Sequence, residues 1–324
     1  MLELVEKDNP FVSIVIPVKE KNKNLEECIR HCLSLDYPDY EILILCDNPI
    51  QLDGDSVTVI PTGPIGPAEK RDKAIGQARG DIIAFLDDDT FPVRDWLKNG
   101  LRPFEDIEVA AVGGPAVTPP SDSLRARASG EVYSSFLASG RYTYRYLPKE
   151  PQEVDDYPSC NFIVRKSILK EVGGFSTKYW PGEDTVLCLN ITSRLKKKIV
   201  YEPSAMVFHH RRELYLPHLK QVRSYALHRG YFVKRFPQNS MKFAYFVPSI
   251  FVAGVVIGGI VSVLLPGARY AYLAGIMLYL LIVAGASIRK RDIRMNLLVF
   301  SGIILTHIYY GIWFLKGLLS KEIK

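Results

Sequence analysis

Three consecutive carboxylates, Asp87, Asp88 and Asp89, follow directly on the apolar run 82–86. Adjacent carboxylates repel one another and resist burial, so a cluster at a strand end is costly unless a cation or a rim of water compensates. The hard oxygens of Asp87 and Asp89 suit Mg²⁺ or Mn²⁺, and a divalent ion held there could clamp a diphosphate. These residues alone leave a second reading open, in which Asp88, Asp89 or Thr90 caps a helix running through Trp96.

Such acids need elements to hold them. Residues 11–16 read as a strand, 25–35 as a helix and 40–46 as a second strand that stops at Asp47, which makes a βαβ unit. A strand over 56–60, a helix over 67–78 with Pro67 in its first turn, and the strand 81–86 continue the pattern. Strands alternating with helices predict an α/β fold with a parallel sheet wound by right-handed crossovers and covered by helices on both faces. Ligands of such sheets collect beyond the carboxyl ends of the strands. Glu20, Asp47 and Asp87 each fall just past a strand end and should share one rim. A solvated rim of loop acids is the alternative for Glu20 or Asp47 taken singly.

The composition changes near residue 240. Runs 243–268, 270–288 and 295–315 contain no Lys, Arg, Asp or Glu, and each approaches or exceeds the roughly 20 residues that span a bilayer. The expected organisation is a globular domain over 1–212, an amphipathic interfacial linker over 213–242 and a membrane domain over 243–324 with three transmembrane helices. Arg289, Lys290, Arg291 and Arg294 crowd the loop before the third run, whereas Arg269 stands alone in the earlier loop, so the basic loop should face the cytoplasm. The globular domain, followed by Arg229, Lys234, Arg235 and Lys242, should lie on that side too. The tail would then lie outside, unless the third helix rests partly in the interface, an alternative favoured by Lys316 and Lys321. Residues 1–10 are charged and lack the apolar core of a signal peptide. Five scattered cysteines read as free thiols. The formal charge of +6 is modest and partly juxtamembrane, which fits contact with anionic lipids and not nucleic-acid binding.

In order and spacing, several of these motifs resemble the cytoplasmic family 2 glycosyltransferases of the GT-A fold, whose Rossmann-like, mostly parallel sheet binds nucleotide sugars. The strand 12–16 runs into Pro17-Val18-Lys19-Glu20-Lys21, where the family usually shows Pro-x-Tyr-Asn-Glu. Only Pro17 is kept, and Glu20 offers a carboxylate one position early. The segment 36–42 leading to Asp47 is similar to the family's second strand, whose terminal Asp contacts the nucleobase. Lys70-Arg71-Asp72 resembles its Ala-Arg-Asn helix, which implies that Arg71 supports the diphosphate; an exposed helical Arg is the alternative. Asp87-Asp88-Asp89 matches the metal-binding Asp-x-Asp. The resemblance implies Asp89 as direct ligand, Asp87 towards the ribose or a metal-bound water, Asp88 on the donor side, and Mg²⁺ or Mn²⁺ as cofactor.

Asn161 within 160–166, Gly173-Gly174-Phe175 and Gly182-Glu183-Asp184 follow the order of the family's acceptor half. The resemblance implies Asp184, with Glu183 beside it, as the catalytic base, because a carboxylate must take the proton of the attacking hydroxyl. Two acids favoured by the dipole of a helix over 185–195 are the structural alternative. The strand 201–209 resembles one that ends in a metal-binding His, which points to His209, or else His210. Asn161, Arg211 and Arg212 fall on the acceptor or diphosphate side, the two arginines serving the leaving diphosphate or lipid headgroups. Residues 221–225 lack the Arg and Trp of the Gln-x-x-Arg-Trp motif of processive synthases.

The resemblance implies an inverting transfer from a nucleotide-sugar donor to a hydroxyl of a lipid-linked acceptor in surface-glycan biosynthesis. It would occur at the cell membrane, with a multi-pass anchor, a cytoplasmic catalytic domain and membrane lipids as partners. The alternatives are a polyprenyl-phosphate glycosyltransferase, a processive polysaccharide synthase and a non-catalytic nucleotide-binding membrane protein.

Overall fold

A computed structural model of the chain describes residues 9–52, 56–288 and 292–323. In chain order the elements are β1 (Val12–Pro17), α1 (Lys23–Cys32), β2 (Tyr40–Cys46), β3 (Val57–Pro61), α2 (Pro67–Gln77), β4 (Ile82–Leu86), β5 (Thr90–Pro92), α3 (Trp96–Leu101), β6 (Val109–Gly113), β7 (Ala116–Val117), α4 (Leu124–Tyr133) and α5 (Phe136–Ser139). They continue with β8 (Gln152–Val154), β9 (Asn161–Arg165), α6 (Lys166–Val172), α7 (Glu183–Leu189), β10 (Lys198–Tyr201), β11 (Val207–His209), α8 (Leu216–Arg235), α9 (Pro237–Ser240), α10 (Phe243–Leu264), α11 (Pro266–Ser287) and α12 (Ile293–Leu319). They form two bodies, one of residues up to Ala116 with Pro148–His209, the other of Val117–Leu147 with His210 onward. The segment 117–147, inside the expected domain 1–212, groups with the second body. Its helix α4 carries Ala128 and Val132, which are buried in one apolar cluster with Leu214, Val299 and Ile303 of the second body.

The first body is built on an eight-stranded sheet of order β3-β2-β1-β4-β9-β6-β10-β8. β1, β4 and β6 are buried along their whole length, as expected of apolar strands covered on both faces. β3, β2, β1 and β4 are mutually parallel, whereas β9 runs antiparallel between β4 and β6. Val15 stands beside Phe85 and Pro17 beside Leu45, so Asp47 and Asp87 leave the same edge of the sheet. Asp87 to Asp89 do not cap a helix. Thr90 opens β5, and α3 starts only at Trp96. β5 pairs antiparallel with β11, and the register sets His209 opposite Thr90.

Asn161, expected on the acceptor or diphosphate side, is instead a core connector. Its Oδ1 accepts from Trp96 Nε1 at 2.9 Å, and its Nδ2 donates to the Gly114 and Ala205 carbonyls at 2.7 and 2.8 Å. With both amide protons engaged and 1% exposure, it has no donor left for a ligand. Gly114 is required there because a Cβ would lie 1.7 Å from the Ala205 carbonyl oxygen.

In the second body α10, α11 and α12 are long and apolar enough to cross a membrane. α12, however, has a charged companion. α8 runs beside it in the same direction: Tyr215 Oη lies 3.0 Å from Ser301 Oγ, His218 Nε2 2.9 Å from Thr306 Oγ1, and Lys234 Nζ donates to the Ser320 carbonyl at 2.7 Å. Between these contacts the Arg223 guanidinium sits 3.9 Å from the centre of the Trp313 ring. Glycines allow the close approach, since a Cβ on Gly230 would lie 2.1 Å from the Phe314 carbonyl oxygen and one on Gly317 2.0 Å from that of Leu227. α8 exposes Lys220, Arg223, Lys234 and Arg235. Each such cation at the centre of a bilayer costs about 2.5–3.5 kcal/mol. The expected third run, 295–315, lies within α12, which is long and apolar enough for a span and lies beside the charged α8. Arg289, Lys290 and Arg291, on which the expected orientation rested, lie outside the described residues.

Replacing Asn161 by Ala should lower the melting temperature of the detergent-solubilised chain by about 5 °C or more, because Trp96 Nε1 and two carbonyls lose a buried partner at about 1–3 kcal/mol each. A thermal scan showing a shift below about 2 °C would contradict the core role.

Candidate active site

Successive helical residues point about 100° apart, so three adjacent charged residues on α2 reach three different places. Lys70, only 4% exposed, donates through Nζ to the Val18 carbonyl and to Asp47 Oδ1, which ties the ends of β1 and β2 together. Arg71, 2% exposed, reaches Asp87 Oδ1 with Nη2 at 2.7 Å and Glu183 Oε1 with Nη1 at 3.1 Å. Asp72 accepts from the backbone amides of Phe175 and Ser176 at 2.7 and 3.1 Å. Gly174 beside them has φ +71° and would place a Cβ 2.2 Å from Asp72 Oδ1, so the segment needs glycine for both reasons.

Arg71 is the centre of this arrangement. Burial alone would lower its pKa, but Asp87, Glu183 and Asp184 together raise it, so the guanidinium stays charged. Its plane also lies 5.4 Å from the centre of the Phe175 ring, which packs edge-on against Phe85 of β4. The expected exposed helical Arg is thus excluded. Glu183, expected on the catalytic side next to Asp184, is buried and held by Arg71 and by the Gly182 amide at 3.0 Å. It positions the start of α7 and is not available as a base. Asp184 is half-buried at the first turn of that helix, where its Oδ1 accepts from the Thr185 amide at 2.8 Å.

The three aspartates have three environments. Asp87 faces Arg71, and its carbonyl accepts from Thr90 Oγ1 at 2.7 Å, which tightens the turn. Asp88 Oδ2 accepts from Asn22 Nδ2 at 2.7 Å; burial raises its carboxyl above the usual range. Asn22 also caps α1 through Leu25, so it joins the loop after β1 to the acidic turn. Asp89 Oδ1 lies 3.3 Å from His209 Nε2, brought there by the β5–β11 register. Pro17 is buried at the end of β1, whereas Glu20 is exposed beyond it.

Asp47, Asp87, Asp88, Asp89, Glu183, Asp184 and His209 all belong to the first body. His210, Arg211 and Arg212 belong to the second. There His210 Nδ1 meets Asp122, and Arg211 donates from its backbone to Asp122 at 3.2 Å while its guanidinium lies 5.2 Å from the Tyr146 ring centre. Lys70, Asp72 and Asn22 were not foreseen as site residues. The signals were present: three charges in a row on a helix beneath a sheet edge, and an Asn immediately ahead of a helix.

The sequence model of glycosyl transferase family 2 matches residues 13–173. This domain belongs to that family. The chain is 29% identical over 214 residues to a pre-mycofactocin glycosyltransferase of Mycobacterium tuberculosis, covering 63% of this chain but 43% of that protein, and so spans less than half its length. It is 23% identical over 274 residues to the dolichyl N-acetyl-alpha-D-glucosaminyl phosphate 3-beta-D-2,3-diacetamido-2,3-dideoxy-beta-D-glucuronosyltransferase of Methanococcus voltae, covering 76% and 83% of the two chains. The solved structure of the mannosyltransferase PcManGT from Pyrobaculum calidifontis, in complex with GDP-Man and Mn²⁺, superposes with TM-score 0.64 at 18% identity and covers 98% of this chain and 89% of that one. The GT-A fold of the family 2 domain is therefore shared across this distance.

Removing the guanidinium in Arg71→Ala leaves Asp87 and Glu183 without their buried cation, a loss of about 3–5 kcal/mol for a broken buried pair. Turnover should fall at least about a hundredfold, with Arg71→Lys intermediate because it keeps the charge but not the two-armed geometry. Equal activity of Arg71→Ala and wild type in a nucleotide-release assay would rule out the bridging role.

Proposed function

We propose that the protein is a metal-dependent glycosyltransferase that transfers a sugar, with inversion, from a nucleotide-sugar donor to a hydroxyl of a lipid-linked acceptor in surface-glycan biosynthesis. The observation that carries this reading is the Arg71 bridge, which joins the turn of three aspartates to the acidic start of α7. One buried cation thereby holds the donor end and the acceptor end at a common spacing.

Among the described residues no group of three His, Cys, Asp or Glu side chains forms a ready metal cage. Asp89 and His209 nevertheless face each other at 3.3 Å and offer a carboxylate oxygen and an imidazole nitrogen. That donor set fits a divalent ion such as Mn²⁺, which in phosphate-handling sites is held by few protein groups and by the substrate itself. Asp87 Oδ1 is engaged by Arg71, so the ligand role expected of Asp87 passes to the Asp89–His209 pair in this reading. When bound, the ion supplies charge stabilisation for the departing diphosphate. Lys70 holds Asp47 in place for the nucleoside, and Asn22 holds Asp88.

Asp184 takes the acceptor proton. A sugar hydroxyl ionises far above neutrality and needs such a base, whereas a polyprenyl phosphate is already an anion. The lipid-linked character of the acceptor rests on the apolar helices and on the Methanococcus relative, whose name specifies a dolichyl-phosphate-linked sugar. In the same reading α10 and α11 cross the cell membrane as a hairpin, and α12 stays with α8 at the cytoplasmic surface. The C-terminal tail is then cytoplasmic.

Asp184→Asn should reduce sugar transfer by roughly 10²–10⁴-fold, the usual worth of a general base, while nucleotide-sugar binding persists in equilibrium titration. His209→Ala should raise the Mn²⁺ concentration needed for half-maximal activity. Sugar transfer to bare polyprenyl phosphate with lipid-linked saccharides ignored would overturn the acceptor assignment. A C-terminal reporter that is active only outside the cell would overturn the placement of α12.

A further inference from the structure

On the seam between α8 and α12 one aromatic ring carries two cations, one from each helix. The Arg223 guanidinium carbon lies 3.9 Å from the centre of the Trp313 ring, and Lys316 Nζ lies 4.6 Å from it. Both side chains are exposed. Among the described residues neither is paired with a carboxylate. Lys234, further along the seam, differs in being engaged by the Ser320 carbonyl. Beside the ring, Ile312, Leu315 and Leu319 of α12 are 48%, 36% and 81% exposed. Their spacings of three and four place them on one stripe of the helix, with Lys316 on the same face. A cationic edge thus borders an apolar stripe.

We infer that this seam binds an anionic glycerophospholipid, its headgroup phosphate held between Arg223 and Lys316 and its acyl chains lying along Ile312, Leu315 and Leu319. The inference rests on the reading that α8 and α12 lie at a membrane surface, and it adds which lipid they select and through which side chains. The Trp313 ring attracts each cation separately but does nothing for the repulsion between them. A phosphate accepting from both removes it. The guanidinium fork matches two phosphate oxygens at once, while the ammonium acts as a compact point charge beside it.

Two features favour this occupant over others. A soluble anion would satisfy the cations but leave the neighbouring stripe in water, whereas a lipid covers both. Tryptophan, with an apolar body and one polar N–H, suits the boundary between headgroups and hydrocarbon. A zwitterionic headgroup would bring its own cation towards Arg223 and Lys316, so net negative charge is the expected selection.

The test uses the full chain in detergent, with bound lipid counted by native mass spectrometry. Phosphatidylglycerol, phosphatidylcholine, polyprenyl diphosphate and inorganic phosphate are titrated separately. Wild type should bind phosphatidylglycerol at least about tenfold more tightly than the double variant Arg223→Gln, Lys316→Gln, since each surface cation contributes to holding an anionic headgroup. The swap Arg223→Lys with Lys316→Arg should restore most of that affinity, and melting temperatures separate lost binding from lost folding. Fluorescence lost in Trp313→Phe should correspond to the component that phosphatidylglycerol with brominated chains quenches in wild type. Affinity of the folded double variant within twofold of wild type overturns the inference. Equal binding of phosphatidylcholine, tighter binding of polyprenyl diphosphate, or displacement of the lipid by millimolar inorganic phosphate does the same. A C-terminal reporter active only outside the cell, with phosphatidylglycerol selection intact, would sink the placement of α12 and leave this site standing.

Discussion

A single guanidinium organises the first body. Arg71 is buried, and a buried cation is tolerable only among anions, so the ends of β4 and the start of α7 must both come to α2. Lys70 and Asp72 extend the arrangement in two further directions, to the β1 and β2 ends and to the glycine-rich segment before Phe175. The helix therefore behaves as a hub from which four loops are held. Charges that would repel in isolation, the aspartate turn at Asp87 and the acidic start of α7 at Glu183, are made compatible by the Arg71 guanidinium between them.

The second body follows from a different constraint, the pairing of an apolar helix with a charged one. Hydropathy treats α12 as a membrane segment because it scores one helix at a time. Gly230 and Gly317 let α8 approach until backbone and side chains touch, while Lys220, Arg223, Lys234 and Arg235 of α8 stay exposed. His218 completes the joint, bonded to Ser129 of α4 and Thr306 of α12, and burial moves its pKa down to about 4 so that the ring remains neutral there.

Much of the fold was legible in local pattern. β2 and β4 are apolar runs of strand length, and α2 begins at the proline that marked its start. The rim shared by Asp47 and Asp87 followed from the alternation of strands and helices. Where the reading went astray, the reason was a partner remote in sequence. Asn161 looked like a polar residue of an acceptor motif, but Trp96, Gly114 and Ala205 enclose it. Glu183 looked like a catalytic-side neighbour of the expected base Asp184, and Arg71 claims it. The acidic turn looked able to cap a helix, and β5 intervened because Thr90 and His209 pair across strands.

The sequence by itself determined which segments are strands and helices, which are apolar enough for a membrane, and which chemical groups end up at strand ends. Those properties are carried by neighbours within a few residues, through periodicity, capping and transfer free energy. Only the tertiary structure decided which acid is bound, which is left half-exposed, and which apolar helix has a charged companion. The physical reason is distance along the chain: Arg71 and Glu183 are 112 positions apart, and no local pattern encodes a contact that exists only once the sheet has brought α2 and α7 to the same edge.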